Sequence, residues 1–179
     1  MKITLFRKLK ILKPNYCNMI KIIITLLTVF LILSCESGLS PVGGDQRSYL
    51  EVKLNYVKGV SNWPPQDSVF GIRIAAFKKM PDSNIIADII AGNAYFTIES
   101  QPMYVDSSSY TFEIKDAPQQ LLYIAAVQQY DSLIFSQRVI GVYSVSGNKK
   151  EHSPLLVEKG KKYKINIDID FKDLPPMPF

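Results

Sequence analysis

Few residues of this chain could take part in acid–base or nucleophilic chemistry. His152 is the only histidine, and it lies in the polar segment 147–153, whose composition is typical of a solvated loop. Serine nucleophiles need an oriented base, and the sequence has no G-x-S-x-G motif, no H-E-x-x-H zinc motif and no glycine-rich phosphate or dinucleotide motif. We therefore expect no catalytic residue, no bound metal and no cofactor.

One pair of carboxylates has a spacing that could support chemistry. Asp168 and Asp170 lie two residues apart on a predicted strand, so their side chains point to the same side, about 7 Å apart. Such a pair could bind calcium or act as an acid and a base. Both residues continue a polar stripe that begins at Lys164, whose charge could balance them in water. We favour a solvated strand face.

Aromatic residues near predicted loops could stack on sugar rings. Trp63 lies in the proline-containing segment Asn62–Pro65, and Tyr104 and Tyr130 also lie near loop positions. The favoured interpretation is that Trp63 folds back as a plug on one end of the domain, because a large ring gains most by burial. A sugar site that uses Trp63 and Tyr130 is the alternative.

Cys35 has the most specific sequence context. It follows an uncharged run of thirteen residues, 22–34, which begins after Lys21. A spanning helix needs about 20 apolar residues, whereas the core of a signal peptide needs roughly 7–15. The segment Leu31–Ser34 followed by cysteine resembles the lipobox of bacterial lipoprotein signal peptides, although Ile32 and Leu33 are not the commonest residues there. The resemblance implies cleavage before Cys35 and a diacylglycerol on its sulfur.

The predicted cleavage divides the chain into three parts. Residues 1–34 form the signal peptide, with Met19 as a possible true start. Residues 35–47 comprise the lipidated cysteine and a flexible tether whose reach is roughly 20 Å. Residues 48–179 form a single domain. The alternative for the N-terminal segment is an uncleaved anchor helix.

Removal of the signal peptide changes the charge and the cysteine content. Residues 1–35 hold six of the 21 Lys and Arg side chains and none of the 16 Asp and Glu side chains. The mature chain is therefore close to neutral, and we expect no nucleic-acid partner. Cys17 lies in or before the signal and Cys35 would carry lipid, so the mature domain has no free thiol or disulfide.

The domain is dominated by an apolar–polar alternation of period two, which is typical of half-buried strands. We predict an all-β, antiparallel Greek-key sandwich of about seven strands. Segments with clear alternation or continuous apolar character are 49–57, 69–78, 93–99, 110–115, 121–129, 133–143 and 162–171. Of these, 69–78, 121–129 and 133–143 are apolar on both faces, which predicts central strands.

Two segments depart from that pattern. Ile85, Ile86, Ile89 and Ile90 recur with helical spacing, which predicts one short helix near 84–91, with a strand as the alternative. The proline-rich tail 174–179 cannot continue a strand ladder, so we expect it to run extended against the domain.

Seven short segments, which together cover most of the chain after residue 48, have a distinctive order and character: 63–65, 74–77, 93–96, 126–130, 141–143, 170–171 and 174–176. In this respect the chain resembles a family of bacterial lipoproteins that carry a prealbumin-like, carboxypeptidase-regulatory-type domain. The resemblance implies a transthyretin-like sandwich, and it transfers no functional residue.

These observations lead to three functional hypotheses. The first is a non-enzymatic accessory or interaction domain on the bacterial cell envelope, held to the membrane by lipid on Cys35, with an envelope protein or polysaccharide as partner. The second is a surface carbohydrate-binding module that uses Trp63 and nearby tyrosines. The third is a fimbrial or adhesin-type subunit. Glu36 follows the cysteine, where aspartate would favour the inner membrane, so we expect the outer membrane or cell surface.

Overall fold

The computed structural model describes residues 46–82 and 85–178. The predicted signal peptide, Cys35 and most of the predicted tether lie outside these residues. The described part contains nine strands and one α-helix: β1 Ser48–Tyr56, β2 Gly71–Phe77, α1 Ile85–Ile90, β3 Ala94–Phe96, β4 Ser107–Ile114, β5 Gln119–Leu121, β6 Tyr123–Gln129, β7 Gln137–Val142, β8 Leu155–Val157 and β9 Lys162–Ile169. Two short 3-10 turns, Gly59–Asn62 and Gln66–Ser68, lie between β1 and β2.

The strands form two main sheets and one small ribbon. The order in the first sheet is β4-β1-β9, the order in the second is β3-β2-β6-β7, and β5 pairs with β8. Alternate residues of β1, from Ser48 through Tyr56, are buried, as the period-two pattern predicts. The main core contains residues from both sheets, among them Leu50, Ile74 and Ile124. The prediction of an all-β sandwich with one short helix is confirmed.

One pairing differs from the expected antiparallel arrangement. Strands β1 and β9 are parallel, in a register that runs from Tyr49 opposite Lys162 to Tyr56 opposite Ile169. The other described pairings are antiparallel. Side chains alternate in the same way in both ladder types, so the sequence pattern did not distinguish them.

The strand prediction was correct in place but wrong in two details. Each of the seven predicted segments overlaps a described strand, although β4 begins three residues before its predicted segment, and the three-residue strands β5 and β8 were missed. Segment 133–143 is a strand only from Gln137 onward, and β7 lies at a sheet edge rather than in the centre. Leu133, Ile134 and Phe135 are exposed. Their apolar character mimicked a buried strand, although it belongs to a surface loop.

The outer face of the second sheet is also apolar. Ala75, Phe77, Tyr123, Ala125 and Val139 form a second buried cluster there. Helix α1 covers part of this face and contributes Ile85 and Ile89 to the cluster. The C-terminal tail also reaches this sheet, because the Val139 amide donates to Met177 Sδ at 3.5 Å. The described residues therefore pack in three layers, two sheets and a helix, in the region that holds the candidate site.

Candidate functional site

Between α1 and the outer face of the second sheet lies a pocket of about 330 Å³, which we call the isoleucine pocket. This volume falls at the lower end of the 300–1,000 Å³ typical of small-molecule sites. Its lining is mostly branched aliphatic: Arg73, Ile74, Ala75, Ile85, Ile86, Ile89, Ile90, Phe96, Ile98, Val127, Ile134 and Gln137.

The pocket exists because the helix covers only part of the sheet. The helical period directs Ile85 and Ile89 toward the sheet, where Ile85 is 7% exposed, and leaves Ile90 in solvent. The sheet beneath offers small side chains at Ala75 and Val127, which do not fill the space beside the helix. A gap in the packing therefore opens on the side of the helix.

Large apolar side chains surround the opening of the pocket. Three of the lining residues are exposed, and Ile134 continues into two further exposed residues of the β6–β7 loop. We call this group the apolar rim: Ile90 81%, Ile98 79%, Leu133 64%, Ile134 55% and Phe135 74% exposed. Isolated exposed apolar residues are ordinary on protein surfaces, but a contiguous group is typical of an interaction site.

Two polar side chains lie at the pocket. Arg73 donates from Nε to the Ile98 carbonyl at 3.4 Å and from Nη1 to Gln129 Oε1 at 3.2 Å. Gln137 donates to the Ile134 carbonyl at 2.8 Å. In 46–82 and 85–178, no carboxylate forms an ion pair with Arg73. Because a guanidinium has five N–H donors, Arg73 retains donors for a ligand.

Asp88 fixes the position of α1. Its carboxylate is buried, pairs with Lys79 Nζ at 2.7 Å and accepts a bond from Asn93 Nδ2 at 3.1 Å. The Lys79 hydrogen bond is the largest cause that holds the pKa of Asp88 below its ordinary value. The helix that forms one wall of the pocket is thereby tied to the segments on both sides of it.

Trp63, a predicted site residue, packs in a cluster of four rings. Its ring centroid lies 4.4 Å from that of Tyr56 and 4.9 Å from those of Tyr104 and Phe171. Its Nε1 donates to the Val105 carbonyl at 3.1 Å. These are the contacts expected of a plug, and the indole N–H already has a partner. Sugar binding by Trp63 stays a prediction.

Tyr130, the other predicted ligand-binding residue, is exposed after the end of β6. The guanidinium carbon of Arg138 lies 5.8 Å from its ring centroid, a distance suited to a cation–π contact. The ring contacts of Trp63 are with Tyr56, Tyr104 and Phe171, not with Tyr130. The structure thus shows no shared platform for the two residues in its described part.

The other residues singled out by type have structural partners. His152 lies 5.5 Å from the Tyr123 ring, and burial raises the pKa of Tyr123 to about 12. Asp168 accepts a bond from Asn55 at 3.0 Å. Asp170 accepts one from Asn62 at 2.9 Å, which is the main reason why its pKa is lowered. No group of three or more potential metal-ligating residues occurs within the described ranges.

The isoleucine pocket was not foreseen from the sequence. The apolar spacing of α1 pointed to the helix, but Ile98, Ile134 and Arg73 come from three other segments whose proximity depends on strand pairing. The unusual signal was the apolar triplet Leu133–Phe135, directly after the turn Asp131–Ser132.

Comparison of the chain with protein-family models, with curated proteins and with solved structures finds no match. In the part of the chain that the structure describes, no helix has the length and hydropathy needed to cross a bilayer. The resemblance to prealbumin-like lipoproteins stays a prediction.

Proposed function

We propose that this chain is a lipid-anchored bacterial envelope protein whose β-sandwich is a non-catalytic binding domain. The apolar rim around the isoleucine pocket is the observation that carries the proposal. Keeping five large apolar side chains in water weakens the hydrophobic gain of folding and favours aggregation, so a ligand or partner that covers them accounts for their clustering.

The anchor is supported by the sequence around Cys35. A lipid on that residue would hold the domain near the membrane through the predicted tether, 36–47, which raises the local concentration of any envelope ligand. The near-neutral charge of the mature chain suits an apolar contact better than an electrostatic one. The polysaccharide alternative has less support, because Trp63 is engaged in the ring cluster.

Lipid labelling tests the anchor. In cells fed a labelled fatty acid, the chain should incorporate label and fractionate with membranes, and Cys35→Ala should abolish the incorporation. Cys17→Ala is the matched control. It should retain full labelling, because Cys17 lies before the predicted cleavage site. Label that survives Cys35→Ala would refute the anchor.

Thiol accessibility tests the binding surface. The predicted mature domain has no free thiol, so Ile98→Cys and Ile134→Cys each introduce a single reactive group. In intact envelopes, both should react several-fold more slowly with a water-soluble thiol reagent than after extraction. Leu156→Cys, at a position that is 55% exposed on β8, is the control and should react equally in both states. If Ile98→Cys and Ile134→Cys also react at the same rate in envelopes as after extraction, the rim is not covered and the proposal is contradicted.

A further inference from the structure

We infer that the isoleucine pocket binds a single-chain carboxylic acid of about ten carbons, with its alkyl chain among the isoleucines and its carboxylate at Arg73. The inference rests on the proposed function, because it names the ligand class of that same surface.

The lining favours a flexible alkyl chain over a flat ring system. Branched aliphatic side chains from α1, the β3–β4 segment and the β6–β7 loop surround the space, and Phe96 is the one aromatic residue among the described residues that line it. Aromatic ligands are commonly held by stacked rings, which this lining does not offer. Burial of an alkyl chain against the apolar walls is instead favourable, because it removes methylene groups from water.

The volume sets the length of the chain. An engineered apolar cavity of about 150 Å³ holds one benzene molecule, so a pocket of 330 Å³ has space for about thirteen non-hydrogen atoms. The carboxylate takes up part of that space, and the alkyl chain takes up the rest. The pocket therefore fits about ten carbons, and a longer chain would extend past the apolar rim into solvent or membrane.

Arg73 sets the chemistry of the head group. Its Nη1 lies toward the start of β2, where a Cβ at Gly71 would stand 3.2 Å away, while α1 packs farther along the strand, in the cluster that contains Ala75 and Phe77. The pocket is therefore cationic toward one end and apolar toward the helix. The two described hydrogen bonds of Arg73 go to neutral oxygens of Ile98 and Gln129, which leaves its charge without an anionic partner among the described residues. A ligand carboxylate would be such an anionic partner, and it can accept two parallel N–H bonds from the guanidinium.

A protein partner fits these observations less well. An apolar side chain of a partner would cover the rim, but it would bury the guanidinium without balancing its charge, which is costly. A single-chain acid satisfies both the apolar walls and the cation with one molecule.

Photolabelling of the full chain in its own membranes tests the inference. The probe is a ten-carbon carboxylic acid with a photoreactive group in mid-chain, competed by unlabelled decanoic acid or decanol. We expect labelled peptides to contain Ile90, Ile98 or Ile134. Within a competitor series from six to fourteen carbons, each added methylene should strengthen competition about fourfold up to about ten carbons, and the gain should stop beyond that length.

Charge variants test the head-group contact. Arg73→Gln should weaken competition by decanoic acid at least tenfold and leave decanol unchanged, because a charge-assisted bond is lost. Arg73→Lys should retain part of the preference. Lys53→Gln, which makes the same charge change on an exposed position of β1, should have no effect. Decanoic acid and decanol partition differently into membranes. We therefore compare the ratio of their competition strengths between variants, in which this difference cancels.

Equal competition by the acid and the alcohol in the wild type, or a preference that survives Arg73→Gln, would overturn the inference. So would labelling outside the pocket or a flat chain-length series. If Ile98→Cys is nevertheless protected in envelopes, the binding domain stands and only the ligand class is wrong. If that protection is also absent, the proposed function fails as well.

Discussion

At the scale of single residues, the two charged groups that matter most for the site are Arg73 and Asp88. Arg73 lies in a strand of otherwise apolar character, and Asp88 lies between the isoleucines of α1. Their roles depend on Ile98, Gln129 and Lys79, which the fold brings to them. Neither role could be predicted from local sequence, because the partner of a charge is set by tertiary contacts.

The predicted aromatic and acidic sites illustrate the same limit. The sequence predicts Trp63 in a loop that folds back on one end of the domain, and its three ring neighbours come from β1, the segment before β4 and the segment after β9. Asp168 and Asp170 were expected on one polar face, and each accepts a hydrogen bond from an asparagine, Asn55 or Asn62. Residue type predicted what these groups can do, and the fold determined which partner each one has.

Asp88→Asn should destabilise the domain by about 1–2 kcal/mol at pH 7, because a buried, charge-assisted hydrogen bond is lost. The pKa of Asp88 is lower in the folded state than its ordinary 3.8, so its contribution is present above that value and is lost as the pH falls through the folded pKa. Urea unfolding from pH 7 to pH 2.5 measures both effects. The difference in stability between wild type and variant should begin to shrink below about pH 4 and should close as the pH falls through the lowered pKa.

Asp168→Asn is the control for this prediction. Its carboxylate is exposed and bonded to Asn55, so the change should alter stability by less than about 0.5 kcal/mol at pH 7. A constant gap between wild type and Asp88→Asn at every pH would show that the Asp88 effect is not due to its charge.

At the scale of elements, periodicity predicted the helix and the position of every long strand. Alternation works for β1, β4 and β9 because one face of the first sheet is buried, continuous apolar character indicates β2 and β6, and the four isoleucines of α1 have helical spacing. It failed for β5 and β8, which have three residues each and are too short to establish a period. It also failed for 133–136, where apolar residues face solvent at the apolar rim.

Two isoleucines of α1 provide a matched pair that separates packing from binding. Ile85→Ala should destabilise the domain by about 2–4 kcal/mol, because Ile85 is buried against the outer face of the second sheet. Ile90→Ala should change stability by no more than about 0.5 kcal/mol, since Ile90 is exposed on the same helix. Denaturant unfolding of both variants measures the difference.

The outcome for Ile90 bears on its role at the rim. A large loss of stability in Ile90→Ala would mean that its side chain packs in the fold, which contradicts its place on an open surface. With stability unchanged, a fall in photolabelling by the ten-carbon acid in Ile90→Ala would assign the residue to binding alone.

At the scale of the whole molecule, the sandwich followed from strand number and turn spacing, but the pairing partners did not. Strand β9 lies parallel to β1, at the opposite end of the described sequence, and a periodic pattern carries no information on which strands meet. A single sequence also does not predict the distance between the two sheets. It is set by the side chains that meet between them, and Gly141 is one place where it can be tested.

Gly141→Ala should destabilise the sandwich by about 1–3 kcal/mol through overpacking. A Cβ at Gly141 on β7 would stand 2.6 Å from Ile167 Cγ2 and 2.9 Å from Ile169 Cγ1 of β9, so the two sheets would have to move apart. Denaturant unfolding measures the cost. Adding Ile167→Ala removes the closest atom, so the double variant should lose less stability than the two single variants combined. Strict additivity would contradict overpacking against Ile167 as the cause of the loss, since the backbone of Gly141 has no positive φ that would require glycine.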